Sequence, residues 1–269
     1  MDVKTTENTQ HDPLEGVTAE GMIITGAHST RIVLEFIPLI DKAVRELGSL
    51  TEASSLYLYG SVATGTARRG HSDVDLVSID LDPSIARTLS EALSIEFSHL
   101  CRSVEIGPGQ SSNYLGLDDE SYGNRVFLRH YCVHLAGPDI RASLPDFAAD
   151  ELAARGFNGD IGIHAEKWRT ELVQDGSTAL LARRIGRKTL YAAGSLVSIH
   201  DHTWTTDRVA ATQRWGEVRP ELADGLRTLL SWSSTVFSAP THAEIQIVID
   251  GVVAKVVDDF AQRIGLWTR

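Results

Sequence analysis

The sequence has few cysteines, no long apolar run and no basic start. Its 269 residues include only two cysteines, Cys101 and Cys132, too few for a disulfide scaffold or a zinc site built from cysteines. No segment approaches the roughly 18 consecutive apolar residues that span a bilayer. Residues 1–21 are polar and acidic, unlike a signal peptide. These absences predict a protein of the cytoplasm with two free thiols.

Positive charge is also scarce. The formal net charge is −11, and residues 1–139 hold 20 Asp and Glu against 10 Lys and Arg. Residues 140–269 are nearly balanced, with 16 acidic and 15 basic residues. A nucleic-acid binder usually shows the opposite sign. An acidic half can attract metal ions or a cationic small molecule, although acidity also serves solubility alone.

The first half of the chain has the pattern of a small α/β unit. Residues 1–25 indicate a flexible tail, and residues 26–145 alternate between strand and helix signals. The predicted elements are a helix capped by Ser29 and ending near Gly48, strands at 56–59, 74–81, 101–106 and 131–135, a helix at 83–100 and another beginning near Asp118. This order predicts a mixed sheet covered by helices.

The second half, residues 146–269, lacks a convincing strand. Apolar residues recur at three- and four-residue steps, which is typical of helices. Ser177 and Thr206 are candidate caps, Pro220 can begin a helix, and Thr241 with Glu244 has the spacing of a capping box. We therefore predict an α+β domain followed by an all-α helical bundle.

The chemically informative stretch runs from Gly60-Ser61, across eleven residues, to Asp73-Val-Asp75. Residues two apart on a strand share a face, so the two carboxylates repel each other unless a cation lies between them. Mg²⁺ prefers such hard oxygen ligands. A glycine and serine after a strand allow close approach of phosphate oxygens. The combination is typical of phosphoryl or nucleotidyl transfer.

A third carboxylate is expected to complete the site. Glu105 lies in the apolar segment Cys-Arg-Ser-Val-Glu-Ile-Gly, where Val104 and Ile106 face the other way. The other acids between residues 76 and 120 lie at a strand end, on a helix or in a loop. Glu105 is therefore the candidate third ligand.

This pattern resembles the nucleotidyltransferase superfamily, which is similar to DNA polymerase β. Within it, the segments LYGSVATGTARRGHSDVDL, HLAGPD and RKTLYAAGSLVSIHDHTWTTDRVAATQRW resemble the aminoglycoside 3''-adenylyltransferases that modify streptomycin and spectinomycin. The resemblance implies a nucleotidyltransferase domain followed by a helical domain. It also implies transfer of AMP from ATP to a hydroxyl of a small cationic acceptor, as in antibiotic resistance, by a protein that we expect to be a monomer.

The resemblance also implies roles for particular residues. Asp73, Asp75 and Glu105 would hold two Mg²⁺ ions, and Glu105 would also act as the catalytic base. The nucleotide would be bound by Gly60, Ser61 and Lys188, and the acceptor by Trp168 and Asp175. We add Ser72 and Arg187 as further candidate phosphate contacts. The sequence departs from the family at Lys188, where an arginine is usual, and at Asp207, near the place of a second lysine. The spacing of Trp168 and Asp175 also differs.

Alternatives remain open at this stage. Ser61 and Ser72 could cap turns, Arg187 and Lys188 could lie on a solvated helix face, and Trp168 could be a core residue. A toxin-like enzyme that modifies RNA or protein, or a non-catalytic nucleotide-binding protein, would share the same motif. The acidic surface disfavours tRNA, because each phosphate contact needs a cation.

Overall fold

A computed structural model describes residues 11–50, 54–172, 177–234 and 236–268. The chain forms two compact units, one made mainly of Ile23–Phe147 and the other of Gly16–Met22 and Ala148–Arg269. The predicted domain bounds at 26–145 and 146–269 stay a prediction. Residues 11–25, assigned to a flexible tail, contain two short strands, β1 (Gly16–Val17) and β2 (Ile23–Ile24), and Tyr131 donates a hydrogen bond to Glu15 (2.6 Å).

The first unit is built on a mixed sheet of four strands, ordered β5-β4-β3-β6. Strands β3 and β4 are antiparallel, as are β3 and β6, whereas β4 and β5 are parallel. The elements are α1 (Ile37–Leu50), β3 (Ser55–Tyr59), α2 (Gly60–Thr64), β4 (Val74–Ile79), α3 (Pro83–Glu96), β5 (Val104–Gly109), α4 (Asp119–Tyr131) and β6 (Val133–Ala136).

Alternating strand residues divide the sheet into two faces. Leu58, Leu76 and Ile106 pack in one core cluster with residues of α1 and α3. Tyr57 packs on the other side with Leu128 of α4. Because successive side chains of a strand point to opposite faces, the residues that alternate with the first set lie away from the α1 and α3 core.

Two elements of this unit differ from the sequence prediction. The helix expected from Ser29 is α-helical only from Ile37, after two short 3₁₀ turns. Pro38 explains this start, because it lacks an N–H and fits only the first turn of a helix. Strand β5, expected at 101–106, continues through Pro108. It is an edge strand, where proline is tolerated.

The second unit contains helices and no strand among its described residues beyond 148, as predicted. The helices are α5 (Glu151–Asn158), α6 (Ile161–Glu171), α7 (Thr178–His200), α8 (Arg208–Val218), α9 (Ala223–Ser233), α10 (His242–Val248) and α11 (Ala254–Arg263), with a π-helical turn at Ile249–Val253. Ser177 caps α7 and the Thr241–Glu244 capping box begins α10, as expected. Asp207, rather than Thr206, caps α8. The fold class predicted from the sequence is therefore confirmed.

Within the described part of the chain, none of the helices combines the length and apolarity needed to cross a bilayer. Both cysteines are buried and unpaired. The prediction of free thiols is confirmed.

Candidate active site

Two of the three candidate carboxylates lie side by side on the sheet. Asp75 of β4 and Glu105 of β5 are register partners in the parallel pair. Their neighbours Leu76 and Ile106 belong to the core cluster, so the two carboxylates leave the opposite face of the sheet. Glu105 is exposed and Asp75 is partly buried. The pairing of β4 with β5 thus brings together residues thirty positions apart.

The turn after β3 lies against this pair. Tyr59, the last residue of β3, is the register partner of Asp75. Gly60 follows with a φ of +72° and begins the five-residue helix α2, of which Ser61 is the second residue. A Cβ atom at position 60 would collide with the carboxylate of Asp75. Only glycine combines this backbone angle with so close an approach.

Asp73 lies just before β4 and is held by two residues that precede β5. Its Oδ1 accepts hydrogen bonds from Arg102 Nε (2.9 Å) and Ser103 Oγ (2.7 Å), and its Oδ2 accepts one from Arg102 Nη2. This is the two-pronged geometry of a strong arginine–carboxylate pair. The bond to Asp73 raises the pKa of the Arg102 guanidinium, and the charges of Glu105 and Asp75 add to the effect. All three carboxylates therefore stabilise the positive charge of Arg102.

The donor set suits a divalent cation by its chemistry. Three carboxylates at the edges of adjacent strands supply hard oxygen ligands of the kind Mg²⁺ prefers. In the described residues, however, no three His, Cys, Asp or Glu side chains converge closely enough to form a metal-binding group. Asp73 instead accepts hydrogen bonds from Arg102 and Ser103.

The two serines of the motif differ in their surroundings. Ser72 is only 3% exposed, and its Oγ accepts a hydrogen bond from the backbone N–H of Arg68 (2.7 Å). It therefore closes the turn that leads into Asp73. Ser61 is partly buried, and its carbonyl accepts the N–H groups of Thr66 and Ala67. A phosphate contact of either hydroxyl remains a prediction.

Other candidate residues lie in the helical unit, around a cavity of about 270 Å³ between α6 and α7. Its lining is rich in cations and aromatic rings: His164, Lys167, Trp168, Arg184, Arg187, Lys188 and Tyr191. Two acidic residues counter part of this charge, because Glu171 pairs with Arg184 (2.6 Å) and Asp160 with Lys188 (2.6 Å). The cavity thus remains cationic on balance and suits an anion.

Lys188 is more constrained than its exposed neighbour Arg187. Its Nζ also lies within hydrogen-bond distance of Asn158 Oδ1 (3.3 Å) and of the carbonyl of Phe157 (3.4 Å). Burial acts to raise the pKa of Asp160, but His164 and Lys188 outweigh it and lower the pKa of this carboxyl. The lysine is therefore held in place by an ionised partner.

Trp168 is 2% exposed, and its ring stacks on His164 with centroids 5.6 Å apart. Its cationic surroundings disfavour a polycationic acceptor at this position. Asp175, the other candidate acceptor residue, lies outside the described residues. The charge around Trp168 was not visible from its own sequence neighbourhood, because half of the cavity comes from α7.

Sequence reasoning missed Arg102, Ser103 and Asp160. The first two directly precede the strand of Glu105, and a basic residue beside a functional acid is a usable signal. Asp160 has a weaker signal in the sequence, since it lies in the short link between α5 and α6.

Comparison with known proteins places the motif in a known domain and shows a similar fold. Residues 39–93, which include Gly60, Ser61, Asp73 and Asp75, match the family model of the nucleotidyltransferase domain. The fold is similar to the crystal structure of spectinomycin adenyltransferase AAD(9) from Enterococcus faecialis with ATP and spectinomycin. The TM-score is 0.54 at 12% sequence identity, covering 83% of this chain and 99% of that chain. No curated protein matches the sequence significantly.

Proposed function

We propose that this chain, a member of the nucleotidyltransferase superfamily, transfers AMP from ATP to a hydroxyl group of a small cationic acceptor of the aminoglycoside type and releases pyrophosphate. The observation that carries the proposal is the register pairing of Asp75 with Glu105, with the backbone of Gly60 packed against Asp75. The solved neighbour with ATP and spectinomycin supports the choice of co-substrate and acceptor class.

The three carboxylates have distinct tasks in this proposal. Asp73, Asp75 and Glu105 would hold Mg²⁺, which when bound neutralises charge on the triphosphate and on the leaving pyrophosphate. Glu105, the most exposed of the three, accepts the proton of the acceptor hydroxyl. The hydroxyl oxygen then forms a bond to the α-phosphorus, and the bond from that phosphorus to pyrophosphate breaks. General base catalysis of this kind contributes roughly 10²- to 10⁴-fold in rate.

The cation-lined cavity of the helical unit is our candidate for binding phosphate oxygens. Arg187 is exposed at its rim, and Lys188 is held in place by Asp160. A lysine presents a point charge rather than the planar fork of an arginine, so we expect Arg187 to supply the two-pronged contacts. We expect Arg187→Gln to weaken ATP binding, which titration calorimetry measures directly.

The acceptor site is proposed from charge. The excess of acidic residues in the first half of the chain attracts ammonium groups, and salt screens that attraction over about 8 Å at physiological ionic strength. Acceptor affinity should therefore fall as salt rises. Asp175→Asn should weaken acceptor binding more than ATP binding if Asp175 contacts the acceptor.

We place the reaction in the cytoplasm, where reducing conditions keep the buried thiols of Cys101 and Cys132 free.

The test is incubation with each α-labelled nucleoside triphosphate, Mg²⁺ and a panel of aminoglycosides, tRNA and protein, with the Glu105→Gln variant as a blank. The proposal predicts labelled aminoglycoside from ATP with the unmodified chain alone. Label on tRNA or protein would favour the toxin-like alternative. Normal ATP binding without transfer to any acceptor would favour a nucleotide-binding protein.

A further inference from the structure

The proposed reaction does not use the two-pronged ion pair between Arg102 and Asp73. Arg102 donates to both carboxylate oxygens, and Ser103 donates to one of them. A carboxylate offers about four lone-pair positions, and three of them are taken here. Asp73 is largely shielded, with 15% of its side chain exposed, whereas Arg102 is 55% exposed.

We propose that Arg102 is a positioning residue that acts as an internal counter-ion: it holds the carboxylate of Asp73, competes with a divalent cation for its oxygens and releases at least one of them when the cation binds. The inference rests on the proposed function, because it takes Asp73 as a metal ligand. Its basis is geometric. Both carboxylate oxygens of Asp73 are engaged by Arg102, a residue on the loop that leads into the strand of Glu105.

Two further observations favour a releasable contact. The Arg102 side chain is 55% exposed, so water can take over the hydrogen bonds of its guanidinium when it leaves Asp73. Arg102 also supplies a positive charge beside the carboxylate of Asp73, and Ser103 keeps one hydrogen bond to Oδ1 when the guanidinium leaves. An incoming cation would replace that charge and leave Arg102 free to move.

The test is direct titration of the nucleotide-free protein with Mn²⁺, followed by calorimetry or by the paramagnetic signal of the free ion. Arg102→Gln removes the competing cation, and we expect it to bind Mn²⁺ about 2- to 5-fold more tightly, the range that the loss of an ion pair with one exposed partner implies. Arg102→Lys keeps the positive charge but loses the planar guanidinium that donates two hydrogen bonds. Its Mn²⁺ affinity should therefore lie between those of Arg102→Gln and the unmodified chain. Arg87→Gln removes one exposed positive charge from α3, which packs on the opposite face of the sheet, and should change Mn²⁺ affinity little.

A second readout is the melting temperature in the presence of a chelator. Without the guanidinium, the three carboxylates repel one another, so Arg102→Gln should melt lower than the unmodified chain. Added Mn²⁺ should then raise its melting temperature by more, because tighter binding stabilises the folded state more. Neither change requires enzymatic turnover.

The outcomes separate this inference from the proposed function. Equal or weaker Mn²⁺ binding by both Arg102 variants, alongside normal binding by the unmodified chain, would overturn the counter-ion role and leave the metal site intact. A gain in Arg102→Lys as large as that in Arg102→Gln would show that the positive charge does not compete with the cation and would also overturn the counter-ion role. No Mn²⁺ binding by any of the proteins would contradict the metal site and, with it, this inference.

Discussion

At the scale of single residues, the contact between Gly60 and Asp75 leaves no room for a side chain at position 60. Gly60→Ala would force a non-glycine residue to a φ of +72° and drive its Cβ into the Asp75 carboxylate. We expect a loss of about 1–3 kcal/mol in the free energy of unfolding and a large loss of nucleotidyl transfer. Melting curves and transfer rates measure the two effects.

Gly21 offers a matched control for that substitution. It has a similar φ of +80°, but a Cβ there meets no heavy atom within 4 Å. Gly21→Ala should cost stability through the backbone alone and leave transfer intact. A Gly60→Ala protein that keeps its transfer rate would show that the carboxylate does not depend on this approach.

Glu105→Gln tests the proposed base. Glutamine keeps the shape of the side chain but cannot accept the proton, so we expect single-turnover transfer to fall by roughly 10²- to 10⁴-fold while ATP affinity changes modestly. The two quantities should be measured separately. A small, parallel decrease in both would make Glu105 a structural residue.

The motif residues were predictable because their spacing is local. Gly60, Asp73 and Asp75 fall within sixteen positions, and the apolar neighbours of Glu105 reveal its face. The ion pair of Arg102 with Asp73 joins positions 29 apart. This ion pair forms because β4 and β5 are neighbours in the sheet, and a local sequence pattern does not predict which strands are neighbours.

At the scale of secondary-structure elements, the sequence located the four strands of the mixed sheet and several helices of the second unit, but it assigned β2 to a flexible tail. It misjudged the start of α1, because the apolar spacing from Ile32 outweighed the stop implied by Pro38. It also shifted β5, because Gly107-Pro108-Gly109 reads as a turn until the strand is known to lie at an edge. Helices α5 and α6 were not located individually.

The capping box of α10 gives an element-scale prediction. Thr241 Oγ1 accepts from the N–H of Glu244, whose carboxylate in turn accepts from the N–H of Thr241 (2.7 Å). Thr241→Ala should lower the free energy of unfolding by about 0.5–2 kcal/mol without changing the transfer rate. Chemical denaturation measures the change.

The control is Thr228→Ala, on α9. The Thr228 hydroxyl bonds only to the carbonyl of Asp224 four positions earlier, and alanine is the better helix former. This variant should be neutral or slightly stabilising. Equal losses in both variants would argue against a special role for the cap.

At the scale of the whole molecule, stability should depend on pH through His130. Burial lowers the pKa of His130 to about 4; the Asp146 charge acts against this, and the Arg129 and Arg141 charges add to it. Its Nε2 accepts the N–H of Phe147 (2.9 Å), which only the neutral ring can do. The folded state therefore favours neutral His130.

The sign follows from a pKa lower in the folded than in the unfolded state. The contribution of neutral His130 to the free energy of unfolding is fully present above about pH 6.5 and is lost as the pH falls toward 4. We expect about 1–3 kcal/mol, allowing for partial exposure of the ring. His130→Gln keeps an acceptor near the Nε2 position but does not titrate. Its melting temperature should fall less steeply than that of the unmodified chain between pH 6.5 and 4, and parallel curves would contradict the assignment.

The central claim is that the carboxylates of β4 and β5 carry nucleotidyl transfer. The most direct measurement is the transfer rate from α-labelled ATP, with Mg²⁺ and the acceptor panel, for the unmodified chain and for the Asp73→Ala and Asp75→Ala variants, with circular dichroism to verify folding. The account predicts labelled product from the unmodified chain and none from either folded variant. Near-unmodified rates in both variants would contradict it.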